Sequence, residues 1–153
     1  MKIALISIFL DDGYEHILDD EFMENVVCQE DHYYHRIAHL LKMGNHEPIV
    51  FYISVEKELK KFTHKYGHTV IRVPAKRIPF FHEPIVYSPE LIKQVENNFD
   101  ISLLFSYYVM YKVPDMFDYI IRKLKGKMPI MTRWSGGQHK WLFPIRKQIK
   151  KSA

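Results

Sequence analysis

Apolar and polar positions along this 153-residue chain switch between two periods. Residues 2–10 form an apolar run with no polar face, which predicts a strand buried on both sides. Over residues 25–43 the spacing turns helical. Tyr34, Ile37, Ala38 and Leu41 recur on one face, and Gly44-Asn45 supplies the stop. Residues 48–55 predict a second strand. Residues 56–66 predict an amphipathic helix with Leu59 and Phe62 inward, closed by Gly67. A short third strand follows at 69–73, ended by Pro74. Residues 76–87 carry Pro79, Pro84, Phe80, Phe81 and Tyr87 and predict an irregular loop. Ser88-Pro89-Glu90 is a helix start, with Ser88 as cap and Pro89 at the first helical position, and that helix ends near Asn98. A fourth strand over 101–109, a helix over 114–124 ended by Gly126, and a fifth strand over 129–133 complete the pattern.

Helices between all these strands predict parallel pairing through crossovers. The expected class is α/β: one Rossmann-like three-layer α/β/α sandwich over residues 1–153, with a parallel sheet in the order about 3-2-1-4-5. Ligands of such sheets bind beyond the carboxyl ends of the strands. The segments expected there are 11–15, 54–55, 76–87, 106–111 and 133–139. The last run, near 144–151, reads as a helix with no strand after it. The expectation is therefore one half of a larger α/β protein.

Composition narrows this picture. Apolar residues at 47 % and charged residues at 26 % match a globular domain, and no run reaches the roughly 18 apolar residues of a transmembrane helix. The opening run is too short for a signal peptide. A single cysteine, Cys28, excludes an internal disulfide framework and points to the cytoplasm. Ten Tyr and ten Phe exceed what the core obviously needs, so some are expected to face a ligand or partner. The net charge of +4 is unevenly spread. Residues 11–31 are strongly acidic, while Arg133, Lys140, Arg146, Lys147, Lys150 and Lys151 make the end basic. That end is read as a solvated face or as a face that packs on further sequence, with an anionic partner as the other reading.

Missing motifs prune the chemistry. No G-x-G-x-x-G follows the first strand and no G-x-x-x-x-G-K-[ST] occurs, which argues against dinucleotide and P-loop nucleotide binding. A receiver domain would match Asp11-Asp12 but needs an Asp where Val73-Pro74-Ala75 stands. The best local candidate is Arg133-Trp134-Ser135-Gly136-Gly137-Gln138-His139. Its glycines permit close backbone approach to an anion, Ser135, Gln138 and His139 suit hydroxyl groups, and Trp134 and Trp141 can stack on a sugar. A plain strand-to-helix turn is the competing reading. Ser106 and Tyr107 lie within the fourth strand, in a segment expected at the same carboxyl edge. No nucleophile elbow surrounds Ser106. His32, His35 and His39 share one helix side, but a metal needs more ligands than these, so His35 and His39 are read as a polar flank and no metal is expected. Cys28 is read as a semi-buried thiol.

Several segments resemble the amino-terminal domain of GT-B glycosyltransferases, close to glycosyltransferase family 4. Met1-Lys2-Ile3-Ala4-Leu5-Ile6 is similar to that family's opening strand. Residues 36–50, Arg-Ile-Ala-His-Leu-Leu-Lys-Met-Gly-Asn-His-Glu-Pro-Ile-Val, resemble its LA-x-x-L-x-x-x-G-H-E-V-x-V segment with one inserted residue. Phe99-Asp100-Ile101-Ser102-Leu103-Leu104 and Lys127-Met128-Pro129-Ile130-Met131-Thr132 resemble two of its later strands. Where the family often has Gly-Gly before the first helix, residues 24–31 hold no glycine. Trp134-Ser135-Gly136-Gly137 stands in place of its His-Gly turn. The resemblance implies the acceptor-side half of a sugar (hexosyl) transferase. It would act with a nucleotide-sugar donor and a glycan or lipid-linked acceptor, use no cofactor, and be inactive without the carboxyl-terminal donor domain. In that setting Asp11, Asp12 and His139 are the expected catalytic residues. Asp11 or Asp12 would orient an acceptor hydroxyl as base. Ser106, Tyr107, Arg133, Trp134, Ser135, Gly136, Gly137 and Gln138 are the expected substrate contacts. Nucleic acid is not an expected partner. The aromatic and basic segments 76–82 and 141–147 fit either an interface with the second domain or peripheral contact with a membrane. A non-catalytic α/β binding module, or a truncated product, is the alternative.

Overall fold

The computed structural model describes residues 1–10, 18–78, 85–106 and 113–134. In chain order the elements are β1 (Lys2–Leu10), a short helix α1 (Asp20–Phe22) that runs into a π-helical turn (Met23–Val27), and α2 (Tyr33–Met43). Then follow β2 (Glu47–Ser54), β3 (Lys60–Thr63), β4 (Thr69–Pro74), β5 (Lys76–Ile78) and β6 (Ile85–Tyr87). Last come α3 (Pro89–Val95), β7 (Ile101–Ser106), α4 (Val113–Leu124) and β8 (Ile130–Trp134).

The protein is α/β, built on a six-stranded, mostly parallel sheet in the order β3-β4-β2-β1-β7-β8. β1 pairs in parallel with β2 and β7, β2 with β4, and β7 with β8. Successive strand residues face opposite sides, so a strand covered on both faces must be apolar throughout. Ala4 and Ile6, Phe51 and Ile53, and Ile71 and Val73 pack on one face with α3 and α4, through Leu91, Val95, Met116, Ile120 and Leu124. Ile3 and Leu5, Val50 and Tyr52, and Val70 pack on the other face with Met23, Val27, Tyr34 and Ala38. Helical segments thus cover both faces.

The sheet is not all-parallel, because a sixth, antiparallel strand joins its edge. The expected helix over 56–66 is instead β3, antiparallel to β4 from Lys60↔Arg72 to Thr63↔Thr69. A tight hairpin overrides the amphipathic spacing. Gly67, at φ +73°, donates its N–H to the His64 carbonyl at 2.7 Å, and the His64 N–H donates to the His68 carbonyl at 3.0 Å. That geometry is a turn closed by a left-handed glycine. Phe62 is buried, whereas Leu59 lies in the exposed connection rather than inward.

The helix expected over 25–43 is also interrupted. The π turn ends at Cys28, and α2 starts only after His32, whose backbone is extended. Upstream, Asp19 caps α1 by accepting from the Phe22 N–H at 2.8 Å. The loop expected over 76–87 begins and ends in a two-stranded antiparallel ribbon, β5 against β6. Ser88 caps α3 as its sequence requires. Its Oγ accepts from the Leu91 N–H at 3.1 Å and donates to the Pro74 carbonyl at 2.6 Å, so one hydroxyl ties the helix to the end of β4.

Candidate functional site

Two places are candidates for chemistry. The first is the carboxyl edge of the sheet. β1 lies between β2 and β7, and β8 lies beside β7. Ser106 and Trp134 are Cα register partners at the ends of β7 and β8, and Arg133 is the partner of Phe105. Asp11 follows directly on the last residue of β1. Between Ile6 and Leu10 the register of β1 against β2 shifts, because Ile6 faces Phe51 while Leu10 faces Ile53. Such irregularities at strand ends redirect the chain and are common beside binding sites. Of the predicted site residues, the sheet therefore brings Ser106, Arg133 and Trp134 together by backbone position. Asp11, Asp12, Tyr107, Ser135, Gly136, Gly137, Gln138 and His139 lie outside the described residues, as do Phe80, Phe81 and the segment 141–151.

The second place is a buried histidine cluster on the face covered by α2. His35 projects from α2, while His64 and His68 flank the β3–β4 turn, just before β4. All three are buried, at 0 %, 1 % and 2 % exposure. Tyr52 on β2 places its hydroxyl 3.1 Å from His35 Nε2, and His35 Nδ1 lies 3.0 Å from His68 Nε2. His64 Nδ1 accepts from the Tyr66 N–H at 3.2 Å, which leaves Nε2–H to donate to the Glu30 carbonyl at 3.0 Å. His68 Nδ1 has no hydrogen-bond partner among the described residues.

Burial holds these rings neutral. It pushes His35 down to about 2 and His68 down to about 4, and the neighbouring imidazoles act in the same direction. His64 is also lowered by burial, against an opposing hydrogen bond to Glu30. The rings stack, with centroids 4.1 Å apart for His35 and His64 and 4.4 Å for His64 and His68. Interplanar angles are 16° and 17°.

His35 is therefore core and not the polar flank its helical spacing predicted. His39 stacks on Tyr66 at 4.5 Å, on the outer side of the same hairpin. The helical reading of residues 56–66 conceals the pairing of His64 with His68, and Tyr52 reads from sequence only as a residue of a buried strand. The available signal was H-K-Y-G-H, two histidines around a glycine turn.

The surroundings are clamped by charge. Tyr66 donates a hydrogen bond to Asp31, and this bond holds the Asp31 carboxyl below the usual range. Lys42 Nζ donates to the Gly67 carbonyl at 2.6 Å. Cys28, buried beside the hairpin, accepts the Lys65 N–H on its carbonyl at 2.9 Å. Burial first, and Glu24 second, push its thiol up to about 11, the opposite of an activated nucleophile.

No protein-family model, no curated protein and no solved structure matches this chain. No helix among the described residues is long and apolar enough to cross a membrane.

Proposed function

We propose that this chain is the acceptor-binding half of a GT-B type glycosyltransferase, with a Rossmann-like α/β/α sandwich as its frame. The observation that carries this reading is the juxtaposition of three strand ends. β1, β7 and β8 are neighbours, Ser106 and Trp134 share a register position, and the register of β1 shifts just before Asp11. In parallel sheets such an edge is where ligands bind. Trp134 would offer an apolar face to a sugar ring, and Ser106, Ser135 and Gln138 would bond its hydroxyls. Asp11 or Asp12 would take the acceptor proton, and His139 would contact the transferred sugar or its phosphate. The donor nucleotide would be held chiefly by a second domain facing this edge.

Saturation-transfer NMR tests the reading. The chain is mixed in turn with a panel of oligosaccharides and of glycolipids in detergent micelles. Transfer to sugar protons of at least one acceptor is expected. Trp134→Ala should weaken that binding by at least about tenfold while leaving the far-UV circular dichroism unchanged. No transfer to any panel member overturns the proposal. Displacement of a bound acceptor by a nucleotide sugar would overturn the acceptor-side assignment.

A further inference from the structure

We infer that His35, His64 and His68 form a binding site for a divalent transition-metal ion of the zinc type, a site that pins α2 to the β3–β4 hairpin. Two separate observations lead there. One is convergence. The rings come from a helix and from both ends of a turn, and their ligand atoms lie within 4.8 Å of one another, all buried. The second is the His35–His68 contact. His35 Nδ1 and His68 Nε2 are 3.0 Å apart, close to the roughly 3.3 Å that separates two nitrogens on a tetrahedral ion with bonds of about 2.0–2.1 Å.

Tautomers fit an ion as well. With Nδ1 of His35 on the metal, its Nε2–H donates to the Tyr52 hydroxyl, already 3.1 Å away. That is the outer hydrogen bond that metal-bound imidazoles ordinarily make. With Nε2 of His68 on the metal, its proton sits on Nδ1. Both rings then bind in neutral form, and neither has to release a proton. Burial keeps them neutral across the physiological range.

The rings must move. A nitrogen lone pair lies in its ring plane, and stacked planes do not point at one centre. His64 therefore leaves the stack on binding, exchanging its Glu30 carbonyl for the ion, and His35 and His68, whose planes differ by only 23°, turn toward the shared centre. Imidazole nitrogens select zinc, copper, nickel or cobalt over calcium and magnesium, which take oxygen ligands.

The experiment uses the full chain, free of tags and stripped with chelator. Zinc chloride or cobalt chloride is titrated in alone. The thermal midpoint should climb with each tenfold step of Zn2+ above the dissociation constant, and Co2+ should develop the visible bands of a tetrahedral ion. Magnesium should do neither. His68→Gln and His35→Gln should abolish both signals, and His46→Gln, outside the cluster, should leave them intact. Tyr52→Phe should weaken binding by about 10–100-fold. If the core variants fail to fold, wild-type protein labelled at its histidine nitrogens suffices, because Zn2+ must shift the ring nitrogens of His35, His64 and His68 together. No zinc-dependent stabilisation, no cobalt spectrum, or shifts confined to other histidines overturns the inference.

Discussion

Arg72 Nη1 lies 2.8 Å from Asp20 Oδ1, so a guanidinium buried in β4 is joined to a carboxylate at the exposed start of α1. The same group donates to the Leu18 carbonyl at 2.7 Å, and its Nε donates to the Glu58 carbonyl at 3.0 Å. One side chain therefore fastens two connections, residues 18–20 and the entry to β3, onto the sheet. Arg is suited to this because its planar fork presents several donors in fixed directions.

Removing that fork should be costly. Arg72→Ala leaves two carbonyls without their donor and opens space beside Phe62, whose ring lies 5.5 Å from the guanidinium carbon. The expected loss is about 2–4 kcal/mol by urea unfolding. Asp20→Asn should cost clearly less than Arg72→Ala, because the pair is exposed on the acid's side and screened by water. The hydrogen bonds from Lys60 and then Arg72 lower the Asp20 pKa below its ordinary 3.8. Its contribution is complete above pH 3.8 and is lost as the pH falls through the lowered value. A wild-type loss of stability in acid identical to that of Asp20→Asn would refute the link.

His35 gives a second pH dependence. In metal-free protein, burial holds its pKa at about 2, against an ordinary 6.5. Below 6.5 the unfolded chain takes up a proton that the folded chain refuses. Stability is therefore complete above pH 6.5 and declines as the pH drops toward 2, with a slope of about 1.4 kcal/mol per pH unit from this ring. His68 acts in the same sense. Unfolding midpoints between pH 7 and 5, with chelator present, should show the decline. A flat profile over that range would contradict a buried neutral cluster.

These predictions rest on contacts that differ in how far the sequence announces them. The central strands were legible, because β1, β2 and β4 are covered on both faces and are therefore apolar at most positions, with Ser7, Ser54 and Arg72 as buried polar exceptions. Ser88-Pro89 was legible because capping is local. β3 was not legible. Leu59 and Phe62 share a helical spacing, and only pairing with β4, a tertiary event, makes Lys60–Thr63 a strand. The cluster was hidden for the same reason. His35 and His68 are 33 positions apart and meet only once the hairpin folds against α2. At the carboxyl edge, the strands that carry Ser106 and Trp134 were legible as strands. Their shared register position comes from the pairing of β7 with β8.

Ser88 links two elements with one hydroxyl, and Ser88→Ala tests both functions together. The Leu91 N–H loses its acceptor and the Pro74 carbonyl loses its donor. A cap alone is worth typically about 1 kcal/mol. Because Ser88 is fully buried, the expected loss is nearer 2 kcal/mol. Ser88→Thr, which keeps the oxygen, should recover part of it. A loss under about 0.5 kcal/mol in Ser88→Ala, measured by chemical unfolding, would show that the buried hydroxyl does not hold α3 to β4.

Gly67 tests the hairpin that carries two of the three clustered histidines. Its φ of +73° suits glycine, and a Cβ placed there would stand 2.7 Å from Lys42 Nζ. Lysine is flexible and can withdraw, but it would then give up its bond to the Gly67 carbonyl. Gly67→Ala therefore combines a left-handed backbone penalty of about 1 kcal/mol with loss of a link between α2 and the turn. Gly67→Asn should be milder, because Asn tolerates this conformation better than Ala does. The order Gly, then Asn, then Ala in unfolding midpoint is the expected result. Equal stability of Gly67→Asn and Gly67→Ala would mean that the backbone angle is not what constrains this turn.

Cys28 should be inert in the native protein. It is 2 % exposed and burial raises its thiol from 9.0 to about 11, which alone reduces the thiolate by about 100-fold at neutral pH. It borders an open cleft of about 380 Å3 lined also by Glu24, Gln29, Lys61, Phe62 and Thr63, which gives small reagents an approach to its neighbourhood. Approach without ionisation is not reaction, since the thiolate is the nucleophile. A disulfide reagent such as DTNB at pH 7.5 should label native protein at least about 100-fold more slowly than protein in 6 M guanidinium. Glu24→Gln removes the adjacent negative charge, the smaller of the two causes, and should speed labelling only slightly. If native Cys28 reacted as fast as the unfolded thiol, the packing of the π turn against β3 would be wrong.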